Sequence, residues 1–104
     1  MTRERLPNRR PNETQEFERD GIRMKMTTGY TPAGEVGEIF LNAFPPNSMI
    51  DGLLSDAAII ASLALQHGVP LSQIAHALKR DRFGGAASPS GAALDRISNP
   101  EVLK

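Results

Sequence analysis

Apolar and polar residues alternate along much of the first half of the chain, which is the pattern of β-strands. Ile22 to Thr27 alternates with a period of two, as in a strand with one buried face. Phe17 stands among polar residues just before Asp20-Gly21, a dipeptide that suits a tight hairpin. Val36 to Leu41 is apolar on both faces in its second half. These segments predict a three-stranded antiparallel β-meander.

The apolar spacing changes to three and four after Pro45-Pro46, and this change predicts a helix. Asn47 or Ser48 caps its start, and Asp51 favours the same boundary. A second apolar stripe, formed by Ile59, Ile60 and Leu63, predicts that this helix is covered on more than one side.

Gly68 supplies the residue that closes the first helix, and a second helix is predicted from Leu71 to Lys79. Its inward face consists of Leu71, Ile74, Ala75 and Leu78. The predicted fold class is therefore α+β, a three-stranded antiparallel β-meander followed by a two-helix hairpin, within residues 13–82.

Both ends differ in composition from this domain. Residues 1–12 contain four arginines and two prolines and predict a flexible, basic, extended arm. Residues 83–104 are rich in Gly, Ala, Ser and Pro and predict a mobile tail, with one short helical turn at most near Ala92 to Ile97.

Composition narrows the chemistry further. The 104 residues include no cysteine, which argues against disulfides and thiolate sites and favours the cytoplasm. His67 and His76 are nine positions apart with no further ligand pattern, so no metal site is predicted. No catalytic residue and no cofactor are predicted, the one long apolar segment is interrupted by charges and is not expected to cross a membrane, and a non-enzyme is favoured.

Two groups of residues remain as candidate binding sites. The arginines of the arm, Arg5, Arg9 and Arg10, are candidates for contacts with anions or a partner through their forked guanidinium groups. The spacing of Ala64, Gly68 and Ile74 fits a helix-turn-helix, whose outer face would present Gln73, His76, Lys79 and Arg80 to protein or DNA. Twelve basic and twelve acidic residues cancel, so a protein is favoured over DNA as the partner.

Several segments together resemble a known domain. They are, in chain order, Leu6-Pro7-x-Arg9-Arg10, Glu13-Thr14, Ile22, Gly29-Tyr30, Gly34-x-x-Gly37-Glu38-Ile39-Phe40-Leu41 and Ala61-Ser62-Leu63-Ala64-Leu65-Gln66-His67-Gly68-Val69-Pro70-Leu71. This series resembles the TSCPD-type domain near the C-terminus of adenosylcobalamin-dependent (class II) ribonucleotide reductases. The cysteine motif that names the family is missing, so the resemblance implies an accessory module and carries over no catalytic residue.

The favoured hypothesis is a small, non-catalytic binding or regulatory module that acts through protein contacts, with a reductase subunit or a transcription factor as partner. A bound nucleotide and a homo-oligomer stay open, and DNA is the weaker alternative. The rival hypothesis is a transcriptional regulator, acting by helix-turn-helix DNA binding or as an antiactivator that sequesters a DNA-binding protein.

Overall fold

The computed structural model describes Leu6 and residues 11–98. Three strands, β1 (Asn12–Arg19), β2 (Ile22–Tyr30) and β3 (Val36–Ala43), precede three helices, α1 (Met49–Gln66), α2 (Leu71–Ala77) and α3 (Pro89–Ser98). The strands form one antiparallel sheet in the order β1-β2-β3. This confirms the predicted α+β fold class and adds a third helix to it.

The β1–β2 hairpin forms where the sequence predicts it. Asp20 and Gly21 both have positive φ angles, 53° and 80°, as a two-residue hairpin turn with the twist of its strands requires. The turn sets a register in which Phe17 pairs with Met24. One face of the sheet is thereby buried, and Met24 and Met26 on it are fully inaccessible to solvent.

The hydrophobic core lies between that face of the sheet and the helices. Ile39 and Leu41 of β3 join the methionines of β2, and the helices contribute smaller side chains. The buried helical residues are mostly alanines, with one leucine from α1 and one from α3: Leu54, Ala58, Ala61, Ala75, Ala93 and Leu94. Small side chains allow close approach of helix and sheet, and they also leave space between the elements.

Helix α1 begins and ends at the predicted residues because local hydrogen bonds define both termini. The Ser48 side chain accepts a hydrogen bond from the Asp51 N–H at 3.2 Å. At the other end Gly68 has a φ of 92°, and the N–H groups of Gly68 and Val69 donate to the carbonyls of Leu65 and Ala64. This is the Schellman arrangement that a glycine in the left-handed region permits.

Helix α2 ends at Ala77, two residues before the predicted end. Leu78 is extended, and Arg80 forms an isolated β-bridge with Ala86. The Arg80 guanidinium donates to the Ala75 carbonyl at 2.5 Å, so a side chain supplies a partner near the end of the helix. Lys79 and Arg80 therefore lie beyond α2 rather than on it.

The structure corrects the prediction of a mobile tail for Pro89–Ser98, which forms helix α3. Ser88 caps this helix by accepting a hydrogen bond from the Gly91 N–H at 3.1 Å, and Pro89 occupies its first position. Ala93 and Leu94 are buried in the core. Residues 99–104, like most of the predicted arm, lie outside the described residues.

Three arginines hold α3 and the segment before it against the rest of the domain. Arg19 donates to the Ala86 carbonyl at 2.7 Å, and Arg80 pairs with Asp95. Arg96 donates to the Gln15 side chain at 3.0 Å, and its guanidinium carbon lies 4.3 Å from the centre of the Phe17 ring. Long-range polar contacts thus order a segment whose composition suggests mobility.

Candidate protein-contact site on helix α1

Helix α1 lies along the edge of β3 beside which the described part of the chain has no further strand. Polar side chains on one side of the helix bond the backbone groups that β3 leaves unpaired there. Asp51 accepts from the Ala43 N–H at 2.9 Å, and Ser55 donates to the Leu41 carbonyl at 3.1 Å. Gln66 donates to the Gly37 carbonyl at 3.1 Å.

Ser62 is the central residue of this contact. Its hydroxyl accepts from the Ile39 N–H at 2.8 Å and lies 3.0 Å from the Ile39 carbonyl oxygen. It also lies 2.8 Å from the Ala58 carbonyl within α1. Because an open strand edge otherwise recruits another strand, the helix closes the edge against further sheet formation.

The carboxylate of Asp51 connects the end of β3 to the start of α1. It accepts hydrogen bonds from the backbone N–H groups of Ala43 and Asn47, each at 2.9 Å. These bonds lower the pKa of Asp51 because they stabilise its charged form, the Ala43 bond most strongly. The carboxylate that joins the two elements therefore stays charged to a lower pH than an ordinary aspartate does.

The alignment of α1 with the strand edge divides its apolar residues between the core and solvent. Leu54, Ala58 and Ala61 point to the core side of the sheet and are buried. The prediction that the helix is covered on more than one side is corrected here, since Ile59, Ile60 and Leu63 are exposed. A helix that lies along an edge has one side on the core and another beyond the sheet.

Two exposed apolar surfaces result. The first, here called the flank patch, consists of Phe40, Ile59 and Leu63, which are 52%, 57% and 40% exposed. Phe40 follows Ile39 and so points to the face of the sheet opposite the core, and the spacing of α1 puts Ile59 and Leu63 toward that same face. The second, here called the outer stripe, consists of exposed Leu53 and Ile60 and half-buried Ala57 and Ala64, on a side of α1 that does not bond the β3 edge.

Helix α1 is also long and apolar enough, by length and composition alone, to cross a membrane. Its 18 residues include two carboxylates, Asp51 and Asp56, and no basic residue. The polar side of the helix is engaged with β3 through Ser62 and its neighbours. The helix is therefore packed within the domain along one side.

The two groups of residues predicted as binding sites are placed differently. Arg5, Arg9 and Arg10 lie outside the described residues. Gln73, His76 and Lys79 are exposed, and the His76 Nδ1 donates to the Ser72 carbonyl at 2.8 Å. Arg80 is half-buried, and its guanidinium pairs with both oxygens of Asp95 at 2.6 and 2.7 Å.

Because Arg80 pairs with Asp95 of α3, its side chain is not part of the predicted outer face. Hydrogen bonding from Arg80 lowers the pKa of Asp95, with smaller contributions from the nearby charges of His76 and Arg19. The same hydrogen bond raises the pKa of Arg80. Gln73 and His76 thus lie together on the exposed side of α2, whereas the Arg80 side chain is directed toward α3.

No group of three or more metal-ligating side chains occurs in the part of the chain that the structure describes. Neither the flank patch nor the outer stripe emerged from sequence patterns as exposed, because apolar periodicity does not distinguish a buried face from an uncovered one. A usable signal was the polar series Asp51, Ser55, Ser62 and Gln66, whose helical spacing marks a third, polar side of α1. A helix with a polar side between two apolar sides is not buried in the hydrophobic core on all sides.

Comparison with known proteins supports one family. The model of the TSCPD domain matches residues 1–99. A vitamin B12-dependent ribonucleotide reductase of Agrobacterium fabrum is 35% identical over 97 residues, which is 93% of this chain and 8% of the reductase. The corresponding reductase of Bradyrhizobium diazoefficiens is 34% identical over 89 residues, 86% of this chain and 7% of the reductase.

A third relative, the vitamin B12-dependent ribonucleotide reductase of Rhodopirellula baltica, is 35% identical over 81 residues, 78% of this chain and 8% of the reductase. The chain thus spans less than a tenth of these three relatives. No solved structure matches it. The family match covers every strand and helix described above, and the chain therefore belongs to the TSCPD domain family.

Proposed function

We propose that this chain is a non-catalytic binding module that regulates a ribonucleotide reductase in the cytoplasm by contact with the reductase polypeptide. The observation that carries the proposal is the flank patch. Three large apolar side chains, Phe40, Ile59 and Leu63, are exposed together beside a sheet face that is otherwise polar. Apolar patches rimmed by polar residues are typical of protein-contact surfaces.

The choice of a reductase as partner rests on the family. The relatives are named as reductases, and this chain corresponds to a small part of each. A domain that packs within a larger polypeptide presents apolar side chains to it, and a separate copy of that domain retains a surface suited to the same contact. The flank patch is suited to this role because its apolar residues come from two elements held rigidly together by Ser62.

A binding measurement tests the proposal. We expect the immobilised chain to bind the purified vitamin B12-dependent ribonucleotide reductase of its own organism in biolayer interferometry. Ile59→Asp should weaken binding by about tenfold or more, because it places a charge in the contact. Phe83→Asp is the matched control, since Phe83 is 84% exposed but lies away from the patch, and should bind like the parent chain.

Two outcomes would contradict the proposal. One is the absence of binding at every reductase concentration, and the other is equal affinity of the Ile59→Asp variant and the parent. The non-catalytic role has its own test, the formation of deoxynucleotides by the purified chain with adenosylcobalamin. Turnover above background would make the chain an enzyme.

Transcriptional regulation is the second candidate, and the specific observation that favours it is the exposure of Gln73 and His76 on α2 directly after the turn at Gly68. The engagement of Arg80 with Asp95 removes one of the four predicted contact residues from that surface. A mobility-shift series at increasing salt tests direct DNA binding, because phosphate contacts impose a steep salt dependence. A shift abolished by Gln73→Ala would favour this candidate.

A further inference from the structure

The outer stripe of α1 alternates large and small side chains. Leu53 and Ile60 are 60% and 69% exposed, and Ala57 and Ala64 lie between and after them at spacings of four, three and four residues. None of the four side chains is charged or polar. The stripe is also distinct from the flank patch, which lies on another side of the same helix.

An apolar cavity adjoins this stripe. It has a volume of about 220 Å³ and lies between α1, the sheet and the other helices, with Ile39 and Leu41 of β3 in its lining. Ile74, Leu78 and Leu94 also line it. Ala57, Ile60 and Ala64 of the outer stripe contribute to its lining, so the small residues of the stripe adjoin an unfilled apolar space. A pocket with so apolar a lining offers water few hydrogen-bond partners and therefore favours an apolar occupant.

We infer that a second copy of this chain occupies the outer stripe, with the two α1 helices antiparallel about a two-fold axis. In this arrangement Leu53 packs against Ala64 of the partner subunit, and Ile60 packs against Ala57 of the partner subunit. Each copy then supplies two large side chains and receives two beside its own cavity. The contact is isologous, so it closes at two copies.

The order of side-chain sizes selects the antiparallel direction. Reading the stripe forwards gives large, small, large, small, and reading it backwards gives small, large, small, large. Two antiparallel copies therefore oppose a large residue to a small one at all four positions, which permits close helix packing. Two parallel copies in register would oppose Leu53 to Leu53 and Ala57 to Ala57, leaving alternate collisions and gaps.

Charge argues against a lipid surface as the occupant. Amphipathic helices that lie on membranes carry basic residues beside the apolar face, to meet anionic headgroups. Helix α1 carries Asp51 and Asp56 and no basic residue. A second copy avoids this conflict, because the four residues of the stripe bring no charge into the contact and so leave none buried without a partner.

Sedimentation velocity over a concentration series tests this inference. We expect a species of twice 11.3 kDa that dissociates to the monomer on dilution. Ile60→Asp should raise the dissociation constant by roughly thirtyfold or more, as for loss of a central apolar contact. Ile59→Asp is the matched control, with the same residue type and similar exposure one position away, and should dimerise like the parent.

Exchanged side-chain sizes test the register itself. Ala64→Leu alone places a leucine at position 64 of one copy against Leu53 of the other. Leu53→Ala alone places an alanine at position 53 of one copy against Ala64 of the other. Each single variant should therefore weaken the dimer. The double variant Leu53→Ala, Ala64→Leu restores a large residue opposite a small one and should recover most of the affinity. Circular dichroism on each variant separates loss of pairing from loss of folding.

Three results would overturn the inference. They are a monomer at every concentration, an equal loss of dimer affinity with Ile59→Asp and Ile60→Asp, and a folded double variant that does not recover dimer affinity. These measurements contain no reductase, and the reductase assay uses the flank patch. Failure of the dimer therefore leaves the proposed function standing, and failure of reductase binding leaves the dimer standing.

Discussion

The hydroxyl of Ser62 lies within hydrogen-bonding distance of both backbone polar groups of Ile39, a residue 23 positions earlier in the chain. It accepts from the Ile39 N–H at 2.8 Å and approaches the carbonyl oxygen to 3.0 Å. Ile39 is 2% exposed, so water is not available to either group in its place. One serine side chain thereby takes the place, at Ile39, of the hydrogen-bond partners that a fourth strand would supply.

Ser62→Ala is expected to lower the free energy of unfolding by about 1–3 kcal/mol, because it leaves the buried Ile39 N–H without a partner. Ser55→Ala removes the bond to the Leu41 carbonyl and a longer one, at 3.3 Å, that Ser55 accepts from the exposed Asn42 side chain. It should cost about 0.5–1 kcal/mol, since carbonyls tolerate the loss of a partner better than buried N–H groups do. Urea unfolding of both variants measures the difference. Equal stability of Ser62→Ala and the parent would show that α1 does not seal the strand edge.

Leu94→Ala tests whether α3 belongs to the core. Leu94 is 4% exposed, so we expect a loss of about 2–5 kcal/mol, toward the low end because Leu94 already borders the cavity. Phe83→Ala, in the same C-terminal segment but 84% exposed, should change stability by less than about 0.5 kcal/mol. Thermal unfolding compares the two variants. If Leu94→Ala left the stability unchanged, the original prediction of a mobile C-terminal tail would be favoured again.

The third prediction concerns the ion pair between Arg80 and Asp95. Arg80→Ala should lower the melting temperature, because Asp95 loses both guanidinium bonds and the contact between α3 and the end of α2 weakens. Lys79→Ala, an exposed neighbour, should leave the melting temperature unchanged. If the two variants melted alike, the pair would contribute nothing to stability.

The pH dependence of stability follows from the carboxylates of Asp51 and Asp95. The pKa of each is lowered below its ordinary value of 3.8 in the folded state, so the unfolded chain binds protons first as the pH falls. Their stabilisation is therefore complete above about pH 5 and is lost as the pH falls through the folded pKa. Urea unfolding from about pH 6 to pH 2 should show this decline.

Asp95→Asn provides the control for that measurement. The amide does not titrate, so this variant should be less stable than the parent at neutral pH and should lose less stability in acid. Identical acid profiles for Asp95→Asn and the parent would show that the Asp95 carboxylate does not contribute to the decline.

The arginines of the arm supply the last prediction. Replacement of Arg9 and Arg10 by alanine is expected to change the free energy of unfolding by less than about 0.5 kcal/mol, because the sequence places both residues in the proline-containing basic segment before β1. The same variant should weaken binding to the reductase if these guanidinium groups meet anions there. A large fall in melting temperature would make both residues structural.

The alternation of residues and the turn and capping signals determined much of the fold. Asp20-Gly21 and the alternation after Ile22 act through neighbours in the chain, so the hairpin and its buried face could be predicted. Ser48 and Gly68 define α1 for the same reason. Ser88-Pro89 carries a similar local signal for α3, but the small residues after it provide little apolar periodicity to support it.

The tertiary structure alone decided which apolar residues of α1 are covered. Leu54 and Ile60 are equally apolar in the sequence, yet one is 3% and the other 69% exposed, because Ser62 and its neighbours align the helix with the edge of β3. The interaction of Arg80 with Asp95 likewise joins residues 15 positions apart and removes Arg80 from the predicted binding face. Periodicity specifies the sides of a helix, but only contacts between distant segments determine which side meets the core and which remains free for a partner.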